Sequence, residues 1–456
     1  MSVQITTYDR REFLRLTAAA AGAACIPFSG CNSKTIKPAG DTSKRPNIIY
    51  IIADDLGWGD IDYHGSEIKT PNLDKLVHKG VRFEKHYVMA TCTPTRVGLL
   101  SGRYPSRFGV THPAYGKIFD DDTVTLAAAL RNRGYDTAIT GKWHMGSPPE
   151  YTPLKYGFNQ SYGYFSGQID PYTHNYKTGG RAWHRNDKYL DEKGHATDLI
   201  TDEAVRIVES EHKNPFFLYV AYSVPHYPLN EPEKWTSMYK KIEPASRRWY
   251  DASVTHMDDG IGRIIKAVNR SGLSKNTLFI FVSDNGGQKS WRSEVHYKGR
   301  YADKPHTVLG NNLPLRGWKC DLYEGGIRVP ALACWPGVIK PGILSAPVHI
   351  VDWMPTLCSL TGYQPKKNLK WDGRNMWPLI SGETRKYQPR IMYWKTPGSI
   401  AVRQGDWKLI TDKNGRHFEL YNLDNDPYEK NNLAAKQPQR VDELEKLLND
   451  IARDDR

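Results

Sequence analysis

The chain has 456 residues, 39% of them hydrophobic and 11% aromatic, and its 63 Lys and Arg against 50 Asp and Glu give a formal charge of +13. A length of this order fits roughly two or three domains around a large core, and the composition excludes intrinsic disorder and a collagen repeat. After residue 30 no apolar run approaches the roughly 20 residues that cross a bilayer, which excludes a multi-pass membrane protein. The positive charge points to an anionic partner, be it nucleic acid, a membrane surface or an acidic polysaccharide.

Residues 1–31 read as an export signal. Asp9-Arg10-Arg11-Glu12-Phe13-Leu14-Arg15 precedes an Ala-rich apolar run from Leu16 to Phe28, followed by small residues and Cys31. The twin arginine resembles the signal of the folded-protein export route, and Cys31 is the candidate for lipidation at a lipoprotein cleavage box. The expected location is the periplasm or the cell envelope, with membrane contact only through that lipid anchor. Residues 32–45 form a linker. The other cysteines, Cys92, Cys320, Cys334 and Cys358, are scattered and contain no C-x-x-C pair, so neither a disulfide framework nor thiolate zinc chemistry is expected, although one pair could bridge. Cys334 in a strand-like stretch and Cys358 in a helix-like one are expected to be buried thiols.

From Pro46 onward, continuous apolar runs of strand length end in polar or Gly-containing residues. Asn47 to Ala53 runs into Asp54-Asp55, and Asp136 to Thr140 into Gly141-Lys142-Trp143-His144; Phe216 to Tyr222 leads to Pro225-His226, and Leu278 to Val282 to Asp284-Asn285-Gly286-Gly287. Runs without alternation predict strands covered on both faces, as in a parallel sheet. Helical spacing is found over Thr125 to Arg133, Asp198 to His212 and Trp249 to Leu273. The fold class expected for residues 46–364 is therefore α/β, a large, mostly parallel central sheet flanked by helices. Ligands of such sheets bind beyond the carboxyl ends of the strands, where every polar cluster just named lies. After about Gly362 the pattern changes. Ile391 to Trp394, Ser399 to Arg403, Trp407 to Thr411 and Glu419 to Tyr421 predict short strands, and Val441 to Ile451 a closing helix, so residues 365–456 are expected to form a smaller antiparallel sheet with a helix.

Asp54, Asp55, Asp284 and Asn285 together offer three carboxylates and an amide, the inventory for a hard cation such as Ca²⁺ or Mg²⁺. Singly, each pair could equally cap a following helix or turn. In Thr91-Cys92-Thr93-Pro94-Thr95-Arg96, Thr93 suits an N-cap and Pro94 the first helical position, which places Cys92 just before a helix N-terminus, where the dipole favours anions.

Cys92-x-Pro94-x-Arg96 followed by Gly102-Arg103 resembles the signature of the type I sulfatases, whose cysteine is converted to formylglycine. Asp54-Asp55-Leu56-Gly57-Trp58-Gly59-Asp60, Gly141 to Gly146, Pro225-His226-Tyr227-Pro228, Ser283 to Gly287, Arg316 to Lys319 and Glu324 to Pro330 are similar to elements of that family in family order, as is Glu419 to Leu423 with Asp426-Pro427 and Asn432-Leu433. The resemblance covers about residues 46 to 434 and implies an alkaline-phosphatase-like fold. It also implies that Asp54, Asp55, Asp284 and Asn285 hold one Ca²⁺ together with an oxygen of modified Cys92. Arg96 and Lys142 would then steady the aldehyde hydrate, and Lys142 and Lys319 would neutralise sulfate oxygens. In the implied cycle a hydrate hydroxyl attacks sulfur and His226 protonates the leaving oxygen. His144 then deprotonates the second hydroxyl, so that the covalent sulfate intermediate eliminates sulfate. A formylglycine-generating maturation enzyme is an implied partner.

The substrate is less legible. Segments 160–190 and 289–306 interleave rings and cations, with His174, Arg181, Trp183, His296 and Arg300 as candidate contacts for a sulfated polysaccharide or its oligosaccharides. The same pattern suits a solvated basic loop over core aromatics. Two other functions fit parts of the sequence: a phosphonate or phosphodiester hydrolase of the same superfamily, and a non-catalytic glycan-binding lipoprotein. Nucleic acid is not an expected partner, because no Lys/Arg block or recognition helix is present.

Overall fold

A computed structural model describes residues 45–456 apart from 178, 292–296, 298–300 and 302–305. The export signal, Cys31, His296 and Arg300 lie outside the described residues. Ten strands form the main sheet: Asn47–Ala53 (β1), Val81–Phe83 (β2), Asp136–Lys142 (β3), Gln160–Tyr164 (β4), Trp183–Arg185 (β5), Lys188–Tyr189 (β6), Phe216–Ala221 (β7), Thr277–Ser283 (β8), Ala331–Cys334 (β9) and Gly342–Leu344 (β10). Their order is β10-β2-β9-β8-β1-β7-β3-β4-β5-β6. The five central strands, β8-β1-β7-β3-β4, are mutually parallel, and β9 and β5 join them antiparallel on either side. The expected mostly parallel α/β sheet is what the chain forms.

The uninterrupted apolar run of β1 is explained by what covers it. Ile48, Tyr50 and Ile52 face a core with Leu99, Leu126, Leu130, Met354 and Leu357, while Ile49, Ile51 and Ala53 face the opposite core with Leu73, Ile200, Ala204, Val254, Ile261 and Ile264. Both faces of the strand are dry, so alternation gives way to a continuous run. The helices responsible are Pro71–Lys79 (α1), Cys92–Ser101 (α2), Leu126–Asn132 (α3), Ala196–Glu209 (α4), Ala245–Arg270 (α5) and Trp353–Thr361 (α6). Thr125 caps α3 by accepting the Ala128 amide, and His195 caps α4 by accepting that of Thr197.

A second, antiparallel sheet contains Ile391–Lys395 (β11), Ser399–Gln404 (β12), Trp407–Asp412 (β13) and Phe418–Asn422 (β14), and Pro438–Ala452 (α7) follows it. One face, with Tyr393, Val402, Leu409 and Leu420, packs with Leu444 and Leu448 of α7, and the other, with Trp394, Ala401 and Ile410, packs on Tyr87, Met89 and Ile327. Lys408 is fully buried between Glu324 at 3.0 Å and Glu429 at 2.8 Å, so the small sheet is tied by charge to the short helix Glu324–Ile327 that precedes β9. Buried Cys334 and Cys358 are free thiols as expected, and Cys320 is free and exposed. Among the described residues no helix is long and apolar enough to cross a membrane.

One buried ionic knot joins α4 to α5. His256 Nδ1 lies 2.8 Å from Glu231 Oε2 and its Nε2 3.3 Å from Asp198 Oδ1. Burial opposes the charge on His256, but the hydrogen bonds to Asp198 and Glu231 outweigh it and push the imidazole up from 6.5 to about 9. A group whose folded pKa is raised stabilises the fold fully below its unfolded pKa, and this contribution is lost as pH rises through the folded value. Because Asp198 is half-exposed, the contribution is discounted to about 2 kcal/mol. Urea unfolding should therefore show wild-type stability falling between pH 6.5 and 9.5, with a flatter profile for His256→Gln; equal slopes would remove the imidazolium from the knot.

Candidate active site

Four adjacent central strands deliver their carboxyl ends to one place. Asp54-Asp55 follow β1 and Asp284-Asn285 follow β8; β3 ends in Lys142 with His144 just beyond, and His226 lies in the loop after β7. The register Ala53↔Ser283 sets the two acidic pairs side by side. Asp55 and His144 adopt positive φ, 70° and 58°, a conformation that non-glycine residues seldom take and that is associated with functional sites. Gly286 has no alternative, because a Cβ there would lie 1.8 Å from the carbonyl oxygen of Gly325.

α2 brings in Cys92 and Arg96. The helix begins two residues earlier than expected: Cys92 is its first residue and Thr91 the N-cap, because the Thr93 hydroxyl is used elsewhere and donates to the His144 carbonyl at 3.1 Å. Cys92 Sγ lies 3.2 Å from His144 Nδ1. Fully buried Arg96 donates to Asp284 Oδ2 at 2.8 Å, to the Lys142 carbonyl at 3.0 Å and to the Tyr219 hydroxyl at 3.3 Å. Lys142 Nζ meets Asp54 Oδ2 at 2.6 Å, and Lys319 Nζ meets Asp55 Oδ1 at 2.7 Å. His226 Nδ1 donates to the Tyr227 carbonyl at 2.5 Å, leaving Nε2 3.7 Å from Asp55 Oδ2. Sequence reasoning named these ten side chains, and the structure brings them together. It did not name Tyr219, which reads as one more apolar strand residue, or Gly167, whose Cβ would fall 2.4 Å from His144 Nε2.

Burial dominates the electrostatics. It pushes the Asp54 carboxyl up to about 8, with Lys142 opposing and Asp284 and Asp55 adding to the rise. It would raise Asp55 too, but Lys319 and His226 hold that carboxyl down at about 2. Burial raises the Cys92 thiol despite Lys142 and Lys319. Burial and the surrounding cations hold His144 and His226 well below the ordinary histidine value, and Lys319 is raised well above the ordinary lysine value because Asp55 outweighs its burial.

The residues fit a hard cation. Asp54 Oδ1 and Asn285 Oδ1 are buried oxygens without a hydrogen-bond partner. Ligand atoms of Asp54, Cys92 and Asp284, and of Asp54, Asp55 and His226, converge within 4.8 Å. Such orphaned acceptors are costly unless an ion takes them up, and an oxygen-rich set with one amide suits Ca²⁺ or Mg²⁺.

The loop residues are placed differently. His174 and Trp183 are each 2% exposed and stack at 4.6 Å; His174 Nε2 donates to the Gly194 carbonyl at 3.1 Å and Trp183 Nε1 to Glu192 at 3.2 Å. Both rings are packed within the protein, on each other and on these partners. Arg181 is exposed and paired with Asp191 at 3.0 Å.

Comparison with known proteins agrees with this geometry. The family model described as Sulfatase matches residues 46–363, and that described as N-sulphoglucosamine sulphohydrolase, C-terminal, matches residues 317–454. Arylsulfatase J of Mus musculus is 32% identical, with 89% of this chain and 75% of the relative covered. N-acetylgalactosamine-6-O-sulfatase of Bacteroides thetaiotaomicron is 29% identical over 93% of this chain and 96% of the relative. The crystal structure of Ps i-CgsB in complex with k-i-k-neocarrahexaose superposes with a TM-score of 0.80 at 31% identity, covering 91% of this chain and 94% of that one. With the family model spanning well over half the chain and its motifs gathered at one site, the chain belongs to the sulfatase family of sulfuric ester hydrolases.

Proposed function

We propose that this sulfatase removes sulfate esters from a sulfated polysaccharide or its oligosaccharides, after conversion of Cys92 to formylglycine and with one Ca²⁺ in the acidic cluster. The observation that carries this reading is the convergence of Cys92 and His144 on a site where three carboxylates, Asp54, Asp55 and Asp284, face three cations, Arg96, Lys142 and Lys319. With a divalent ion bound, which would keep all three carboxylates ionised, and with neutral histidines, the site carries about two positive charges, which suits a sulfate ester better than a neutral group. A Ca²⁺ or Mg²⁺ held by Asp54, Asp55, Asp284 and Asn285 would supply charge withdrawal from a sulfate oxygen and from the nucleophile. A formylglycine hydrate at position 92 would supply that nucleophile as a hydroxyl.

The side chains of the protein do the rest. Arg96 is locked by Asp284 and the Lys142 carbonyl, so its role is to hold α2 and the residue at position 92 in place. Lys142 and Lys319 are already desolvated and meet the sulfate oxygens without reorganisation. His144 is the nearest base to position 92. Because Nδ1 donates to the Tyr227 carbonyl, His226 presents only Nε2 to the site, and once it has taken up a second proton on binding of the anionic substrate, Nε2–H is the donor to the departing oxygen.

A glycan substrate is supported by the sugar sulfate in the name of the Bacteroides relative and by the carrageenan-type oligosaccharide in the superposed crystal structure. Export by the twin-arginine signal, lipidation of Cys31 and maturation by a formylglycine-generating enzyme complete the proposal. Incubation with chondroitin 6-sulfate and iota-carrageenan oligosaccharides, with desulfation located by NMR, should show sulfate release at defined ring positions. Binding of these glycans by matured, Ca²⁺-loaded protein without release, or phosphonate turnover far above sulfate turnover, would overturn it.

A further inference from the structure

Among the described residues Tyr115 is the most exposed aromatic side chain, at 65%, yet it stands beside one of the most buried parts of the protein. Its ring centroid is 5.8 Å from that of His144, whose Nδ1 contacts Cys92 Sγ. A largely exposed tyrosine ring beside a charged site leaves roughly 1–2 kcal/mol of burial unrealised, which a bound partner can recover. Its hydroxyl lies 3.5 Å from that of Tyr176, which comes from a different loop and belongs to the ribbon pairing Asn175–Tyr176 with Gly180–Arg181. Lys177 beside it lies 5.5 Å over the Tyr176 ring, and its carbonyl accepts the Tyr297 amide. On the His226 side, Tyr227 stacks on Trp291 with centroids 4.5 Å apart and planes within 12°. Rings therefore flank both catalytic histidines, but Tyr227 is half-buried and packed, and only Tyr115 offers an open face.

We propose that Tyr115 is a substrate-binding residue, whose ring receives the apolar face of the sugar bearing the scissile sulfate and so aims that sulfate at position 92. A hexose has C–H groups on its faces and hydroxyls at its rim, so an exposed aromatic plate binds the faces and leaves the rim free for polar contacts. Tyrosine provides this area with two side-chain torsions to immobilise, a small entropic cost. The inference rests on the glycan reading above, and it assigns a residue that the interleaved loop pattern did not single out.

The test compares Tyr115→Ala and Tyr115→Phe with wild type on whichever of the chondroitin 6-sulfate or iota-carrageenan oligosaccharides the wild type desulfates. For the alanine variant KM should rise about tenfold, equivalent to about 1.4 kcal/mol, with kcat within about threefold. Phenylalanine should keep KM within about twofold. The inhibition constant of inorganic sulfate, which probes the cationic site alone, should not change in either variant. An unchanged KM in Tyr115→Ala, a Phe variant as weak as Ala, or a parallel loss of inorganic sulfate affinity would overturn the role of Tyr115 while leaving glycan desulfation standing. Absence of sulfate release from every oligosaccharide by the wild type would instead overturn the glycan reading, and the role of Tyr115 with it.

Discussion

Cys92→Ser is expected to release at most one equivalent of sulfate-free product per protein molecule, with steady-state turnover lower by about four orders of magnitude or more. The substitution keeps an oxygen nucleophile at the start of α2, beside His144 and within the cluster of Asp54 and Asp284. A serine has one hydroxyl, however, and once sulfated it has no second hydroxyl whose deprotonation would expel sulfate. Quantifying product against active-site concentration, with mass spectrometry of the peptide containing residue 92, separates the outcomes. Repeated turnover by the serine variant would contradict the elimination step, and full wild-type activity with an unmodified thiol at Cys92 would refute the nucleophile altogether.

The second large effect is expected at Asp284. Asp284→Asn preserves shape but removes the counter-charge of Arg96, whose side chain and that of Asp284 are both 0% exposed. Breaking one side of a buried ion pair typically costs about 3–5 kcal/mol, and the proposed cation site would lose a carboxylate as well. Activity should fall by about a thousandfold or more and the unfolding midpoint should drop, while calorimetry should show Ca²⁺ affinity lower by at least about tenfold. Retention of Ca²⁺ affinity would remove Asp284 from the ligand set even if activity were lost. Chelation of the wild type, followed by recovery on adding Ca²⁺, provides the matching control.

What could be read from the sequence follows burial. β1, β7 and β8 are dry on both faces, so their apolar runs were unmistakable, and the polar residues that end them marked the site. β4, with Gln160, Ser161 and Gly163, and β5, with His184 and Arg185, lie toward one edge and carry polar residues, so their strands did not stand out. The start of α2 differs from the sequence expectation by two residues, because Thr93 looks like a cap until the carbonyl of His144, distant in the chain, is seen to engage it. His174 and Trp183 looked like sugar contacts because an interleaved aromatic and cationic loop has the same sequence whether its rings face water or each other. Tyr115 was overlooked for the converse reason: a lone tyrosine in a loop has no pattern, and only its position beside His144 gives it meaning.

The register Ala53↔Ser283 has a further consequence. Asp54 and Asp284 are separated by most of the length of the sheet domain in sequence, and a slip of one residue between β1 and β8 would turn their side chains to opposite faces of the sheet. A divalent ion that needs carboxylates from both strands therefore binds only the correctly registered pair. It acts as a proofreader of the slowest kind of strand pairing, the non-local parallel one, and by mass action adds its binding free energy to the native register alone. If the proposed cation is bound during folding, its supply at that stage, and not only during turnover, is expected to raise the yield of active protein.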